Sequence, residues 1–286
     1  MNVLSLFDGM SCGQIALNKA EIKYNKYYAS EIKSHAIKVT QHNYPETIQL
    51  GKAENIKYHH LSSIDLLLGG SPCQDYSRCN SDRKGIEGEK SSLINYYFKA
   101  FEVCKPKYFL LENVIMDTKD AKYISDRLGV FPIRINSSRV SAQLRDRLYW
   151  TNIQEEDYID FFGRNISMPE NKGIELQDIL DSGKSISKKA YCLRQSEHKN
   201  IKRNGENGIT QECIKKRIDM KIENFIFEDN KYRLLNKNER ARLQCVPESY
   251  INILDEKEAA SLLGDGWTID VIVHILKNTK KELNKL

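Results

Sequence analysis

"IDLLLGGSPCQDYS", residues 64–77, runs from a nearly continuous apolar stretch into two glycines, a serine, a proline and a cysteine. A run such as Ile64–Leu68, without polar alternation, predicts a strand buried on both faces, as in the middle of a parallel sheet. A thiol placed just beyond such a strand, after a Ser-Pro turn, stands where a parallel sheet presents its ligands. Other short runs flank it. Val3–Leu6, Tyr27–Ala29, Tyr108–Leu111, Val130–Ile135 and Leu148–Asn152 read as strands. Helical patterns pass through Ile15–Leu17, stop before Pro45, and cover Leu93–Val103. This alternation predicts βαβ units and a parallel sheet, hence an α/β, Rossmann-like fold.

The rhythm breaks after the first 153 residues. Residues 154–229 are polar and basic and are expected to form a small separate lobe, with 230–286 returning to the body. Between Gly183 and Arg242 there are 16 Lys and Arg against 8 Asp and Glu, which leaves 28 against 31 for the rest of the chain. That concentration favours a polyanionic partner, and equally a solvated basic face. "FIFEDNKYRLL" (225–235) predicts a hairpin turning at Asp229-Asn230. Thr268–Leu283, with Ile269, Ile272, Ile275 and Leu276 on one face, predicts an amphipathic helix. The chain has 286 residues, 40% hydrophobic and 29% charged, within the range of globular proteins. No apolar run approaches the roughly 20 residues of a membrane span. The start, "MNVLSLFDGM", has no basic n-region, so no export signal is expected. Seven cysteines are then expected to be reduced thiols.

Chemistry-bearing residues gather at the predicted strand ends. "FDGMSCG" (Phe7–Gly13) is a glycine turn after the first strand, and Glu31 ends the second. Glycines allow close backbone approach to a ligand, and an acid at the second strand end can accept ribose hydroxyls. Together they suggest an adenosine-containing cofactor; alternatively, Asp8 and Glu31 cap the helices that follow. Cys73 and Glu112-Asn113 end two further strands. A thiol beside a carboxyl can add to an electron-poor ring, although most cysteines are simply small apolar side chains. Metal binding fits poorly: there is no CxxC and His59-His60 are adjacent. A zinc deaminase would need a second cysteine where Tyr76 stands.

With these residues in view the chain resembles the DNA (cytosine-5) methyltransferases. The resemblance runs through "LFDGMSCG", "SPCQDYS", "LLENV", "SAQLRDRLYW", "YRLLNKNERARLQCVP" and "LGDGWTIDVIVHIL", in the family's order. The tryptophan of the last segment is nearer to eukaryotic de novo and phage-borne members than to the usual Gly-Asn-Ser form. The resemblance implies a Rossmann-like S-adenosylmethionine-dependent methyltransferase fold with a small target-recognition lobe. It implies S-adenosyl-L-methionine as cofactor, held by Phe7, Asp8, Gly9, Cys12, Gly13, Glu31, Ile32, Ile56, Pro72 and Trp267. Cys73 is implied as nucleophile at cytosine carbon 6, Glu112 as partner of ring N3, Arg147 as partner of O2, and Arg145 as holder of the nucleophile loop. Asn113 and Gln143 are implied as loop supports.

Double-stranded DNA is the implied partner, met by Arg78, Cys79, Gln143, Arg194, Lys202 and Arg203, with no metal and no membrane. The loop 74–89 would close over a cytosine turned out of the duplex. A cognate restriction enzyme is a further partner the family allows, and the setting would be a bacterial or phage-infected cytoplasm. Two departures stand out. Lys52 occupies the place of a usual adenine-contacting aspartate, and Cys245-Val246-Pro247 replaces Gly-Phe-Pro. A tRNA cytosine-5 methyltransferase and a non-catalytic DNA-binding homologue remain alternatives.

Overall fold

The computed structural model describes residues 1–71, 93–155, 158–159, 166–195, 216 and 224–284. The strands of its main sheet are β1 (Asn2–Leu6), β2 (Lys26–Ser30), β3 (Ile48–Gln49), β4 (Leu66–Gly70), β5 (Tyr108–Val114), β6 (Ile133–Asn136) and β8 (Asp146–Thr151). They lie in the order β3-β2-β1-β4-β5-β8-β6. β2 and β4 flank β1, so the winding reverses between β1 and β4. Such a reversal opens a crevice at the carboxyl ends of those two strands.

Leu66, Leu67 and Leu68 are each fully buried, which explains the unbroken apolar run. β4 starts two residues later than the pattern predicts and continues through Gly70. Gly69 is required there: a Cβ would lie 2.6 Å from the Tyr97 ring. That ring belongs to the covering helix α3 (Ile94–Cys104). Leu4, Leu6, Leu67, Phe98, Leu111 and Trp150 share one core cluster.

The expected parallel sheet holds from β3 through β5 and then fails. β8 pairs antiparallel with β5, placing Val114 opposite Arg147. The connection Ser137–Arg145 is shorter than the dozen or so residues a parallel crossover needs. Helix α4 (Thr118–Leu128), between β5 and β6, has a weak sequence signal because Ile124 and Leu128 are its only buried large apolar residues. It ends on Gly129 in the left-handed region (φ 71°). Helices α1 (Cys12–Lys19) and α2 (Ser34–Asn43) follow β1 and β2.

The chain divides into two compact units. The first is Met1–Ile135, Asp146–Met168 and Val273–Leu286; the second is Asn136–Arg145 and Pro169–Ile272. The second is therefore larger than the 154–229 lobe expected from composition. It contains β7 (Gln143–Leu144) paired with β10 (Ala190–Tyr191), and β9 (Lys184–Ser185) paired with the hairpin β11 (Phe225–Glu228) and β12 (Lys231–Leu234). The hairpin turns at Asp229 and Asn230, with φ of 49° and 58°, the double positive φ of a two-residue loop. Helix α5 (Lys237–Leu243) follows, then α6 (Glu256–Asp265). The C-terminal helix expected over Thr268–Leu283 is two helices, α7 (Ile269–Lys277) and α8 (Lys280–Leu283). The stretch Glu256–Lys277 is long and apolar enough for a membrane span, but 78% of its most apolar window is buried.

Charge holds the hairpin to α5. Glu239, fully buried, accepts from both terminal nitrogens of Arg233 at 2.8 Å, while Arg233 Nε donates to Glu228 at 2.6 Å. Glu239 also closes a capping box with Asn236, whose side chain accepts from the Glu239 amide at 2.9 Å. Replacing Glu239 removes two charge-assisted hydrogen bonds and leaves the Arg233 guanidinium held by Glu228 alone. Glu239→Gln should therefore cost about 3 kcal/mol of stability, and Asn236→Ala only about 1 kcal/mol, in urea unfolding of the two variants.

Candidate active site

The loop after β1 reverses the backbone three times through left-handed residues: Phe7, Gly9 and Ser11 have φ of 58°, 60° and 60°. Two of the three are not glycine, so the surroundings must hold them there. The end of β2 does so. The Asp8 amide donates to the Ser30 carbonyl at 3.0 Å, and the Gly9 amide donates to Glu31 Oε2 at 2.8 Å. Glu31 Oε1 accepts from the Ile32 and Lys33 amides at 2.7 and 2.9 Å, so this carboxylate also anchors the start of α2. The sequence reading of Glu31 as an anchor for the helix that follows it agrees with these two hydrogen bonds.

Ile32, beside Glu31, is 67% exposed, whereas Ile56 is buried. The segment leading to Ile56 is held by Ser30 Oγ, which donates to the Gly51 carbonyl at 2.7 Å. An apolar exposed side chain next to an oriented carboxylate and a glycine turn fits an adenosine-bearing cofactor. Lys52 is in a surface pair with Glu54 at 3.3 Å.

Beneath the loop lies Asp8. It is buried, Tyr27 Oη donates to its Oδ1 at 2.8 Å, and its Oδ2 is buried without a hydrogen-bond partner. Burial pushes the carboxyl up to about 6, against the hydroxyls of Ser5, Ser11 and Tyr27, which hold it down; the charge of Glu31 adds to the rise. Burial likewise raises the Tyr27 phenol well above its usual range. Cys12 and Gly13 open α1, both buried, and a Cβ on Gly13 would lie 2.5 Å from the Tyr27 hydroxyl.

The other half of the site is at the ends of β4 and β5. Asn113 Nδ2 donates to Ser71 Oγ at 2.9 Å, and Asn113 Oδ1 accepts from the Val114 amide at 2.8 Å. Ser71 is thereby fixed at the root of the segment that leads to Cys73. Glu112, mostly buried, is paired with Arg147 at 2.9 Å (Nε to Oε1). The antiparallel β8 is what brings Arg147 beside β5. An oriented carboxyl held by a guanidinium can exchange a proton or hydrogen bond with a ring nitrogen without turning away.

Other sequence-predicted residues belong to the second unit. Arg145 is buried and donates to the carbonyls of Leu193 (3.1 Å), Gly264 (3.2 Å) and Gly266 (2.8 Å) and to Cys192 Sγ (3.3 Å). These contacts make Arg145 an interior anchor of the second unit, while the nucleophile loop expected to meet it lies outside the described residues. Gln143 is fully buried: it donates to the Leu243 carbonyl at 3.2 Å and accepts from the Leu193 amide at 2.8 Å. Its side chain thus has no exposed surface within this unit. Trp267 is buried, Arg194 half-buried. Gly264 admits the Arg194 carbonyl carbon at 2.4 Å from where its Cβ would stand. Pro72, Cys73, Arg78, Cys79, Lys202 and Arg203 lie outside the described residues. The sequence reading missed Tyr27 and Ser71. A buried strand tyrosine carries no pattern that distinguishes it from a core residue.

The sequence model of the C-5 cytosine-specific DNA methylases matches residues 1–126 and 138–281, and the chain belongs to that family. The orphan methyltransferase M.Rho11sI of Bacillus phage rho11s is 27% identical over 240 residues, covering 82% of this chain and 45% of that protein. The type II methyltransferase M1.ScrFI of Lactococcus lactis subsp. cremoris is 23% identical over 312 residues, 99% of this chain and 79% of that protein. The chain thus spans under half the length of the phage relative. The solved structure of Entamoeba histolytica methyltransferase EhMeth shares the fold, with a TM-score of 0.70 at 17% identity over 99% of this chain and 98% of that one.

Because the folded Asp8 carboxyl is raised from 3.8 to about 6, its contribution to stability is complete below pH 3.8 and is lost as pH rises through 6. The loss is roughly 3 kcal/mol. Asp8→Asn has no such term. Between pH 4 and pH 7 the stability difference between the two proteins should therefore shift by roughly 2.5 kcal/mol in the variant's favour, measured by urea unfolding at each pH.

Proposed function

We propose that the chain is an S-adenosylmethionine-dependent DNA cytosine-5 methyltransferase. The observation that carries this reading is the Glu112–Arg147 pair at 2.9 Å, set at the carboxyl rim of the sheet. A carboxyl so oriented suits a pyrimidine edge. The Asn113–Ser71 hydrogen bond supports it by fixing the root of the segment that bears the thiol. The basic stretch 183–242 supports a polyanionic substrate.

Phe7, Gly9, Glu31, Ile32 and Ile56 would hold the cofactor. When bound, S-adenosylmethionine supplies a methyl group activated by the positive sulfonium. Carbon 5 of cytosine is a poor nucleophile until the ring is changed. The Cys73 thiolate forms a bond to carbon 6, and the displaced electron pair is accommodated as Glu112 gives a proton to N3. Carbon 5 is then electron-rich and takes the methyl group. Loss of the carbon 5 proton to a base, return of the N3 proton to Glu112 and departure of Cys73 as a thiolate restore the aromatic ring. Arg147 keeps Glu112 in register throughout and is placed to meet the base's O2. The target must leave the duplex for a thiol to reach carbon 6.

Transfer of tritium from labelled cofactor to duplex DNA tests the reading. Cys73→Ser should retain less than about a thousandth of the rate. Glu112→Gln should lose roughly 10²–10⁴-fold. A duplex containing 5-fluorocytosine should trap a covalent adduct, since fluorine cannot leave as a proton does. Label entering tRNA but not DNA would favour the RNA alternative, and no adduct with either would favour a non-catalytic homologue.

A further inference from the structure

Three contacts join the loop after β1 to strand β2. Two are at the strand's end: the Asp8 amide to Ser30 and the Gly9 amide to Glu31, at 3.0 and 2.8 Å. The third is at its other end and comes from below, Tyr27 Oη to Asp8 Oδ1 at 2.8 Å. The room for this third contact is made by Gly13, where any Cβ would fall 2.5 Å from the hydroxyl. The Asp8 carboxyl has hydroxyls of Ser5, Ser11 and Tyr27 around it, all able to donate. Its Oδ2 is buried and meets no hydrogen-bond partner. The three hydroxyls stabilise the anion while burial disfavours its charge, so the balance at this carboxyl depends on the donors that reach it.

We propose that Tyr27 is a positioning residue of the cofactor loop. From beneath, its hydroxyl holds the Asp8 carboxylate as an anion, and the anion fixes the Phe7–Ser11 turns that present Gly9 and Glu31 to the cofactor. The inference rests on the reading of this loop as an S-adenosylmethionine site. The titratable groups facing Asp8 are Tyr27, Glu31 and Tyr24, the last of which is pushed up to about 12 by burial, then by Tyr44, and least by Asp8. Ser5 on β1 and Ser11 before α1 do not titrate. Asp8 and Glu31 are the two carboxyls of this cluster among the described residues. A Tyr27 substitution reaches the first through a direct hydrogen bond and leaves the hydrogen bonds of the second in place.

The test is the affinity of the DNA-free protein for S-adenosylmethionine between pH 5 and pH 8, by isothermal titration calorimetry. The native protein should bind more weakly as pH falls through about 6. Tyr27→Phe removes a donor to the ionised carboxylate, so its midpoint should move upward by about one pH unit. Gly13→Ala, which displaces the same hydroxyl, should move it the same way. Asp8→Asn should remove the midpoint altogether. A Tyr27→Phe protein that binds more weakly by the same factor at every pH would overturn the inference while leaving the cofactor reading intact. A native protein that binds no S-adenosylmethionine at any pH would overturn both.

Discussion

A strand buried on both faces admits few polar side chains before it nears the rim of the sheet, and β4 is such a strand. Leu66, Leu67 and Leu68 have no exposed surface. Its neighbours β1 and β5 obey the same constraint through Leu4, Leu6, Leu110 and Leu111. The polar residues of these strands are accordingly concentrated at the carboxyl rim: Asp8 beyond β1, Ser71 beyond β4, and Glu112 and Asn113 at the end of β5. The site is where the burial of the strands permits one to be. Its residues meet because the winding reverses between β1 and β4.

The same constraint decides what could be read from the sequence. Central strands were legible because their apolar runs are unbroken, and the hairpin was legible because Asp229-Asn230 tolerates two left-handed residues. α4 was not, since its surface is mostly charged and only Ile124 and Leu128 mark its inner face. The direction of β8 was not, since strand propensity is the same in either direction; the short connection before it decides. Motifs gave the identity of Arg145 and Gln143 but said nothing of burial. Both turn out to be interior pins of the second unit, engaged by backbone carbonyls and amides. Tyr27 was invisible for the opposite reason. Its ring satisfies the strand pattern, and only the geometry reveals what its hydroxyl does.

Asp8 shows stability and placement in opposition. A buried carboxylate with one unpartnered oxygen is a poor choice for a core, and an asparagine or alanine would fold more easily there. The hydroxyls around it and the room that Gly13 leaves for Tyr27 form a set centred on this one carboxyl. Local rules broken together in this way mark a functional site more clearly than a single odd residue does.

Glu31 has a mechanical consequence. One carboxylate receives the Gly9 amide on one oxygen and the Ile32 and Lys33 amides on the other. The glycine turn and the first turn of α2 therefore cannot shift separately; to loosen either is to loosen both. A molecule bound at this rim would meet a turn already tied to a helix, and little conformational freedom would be left there to surrender on association.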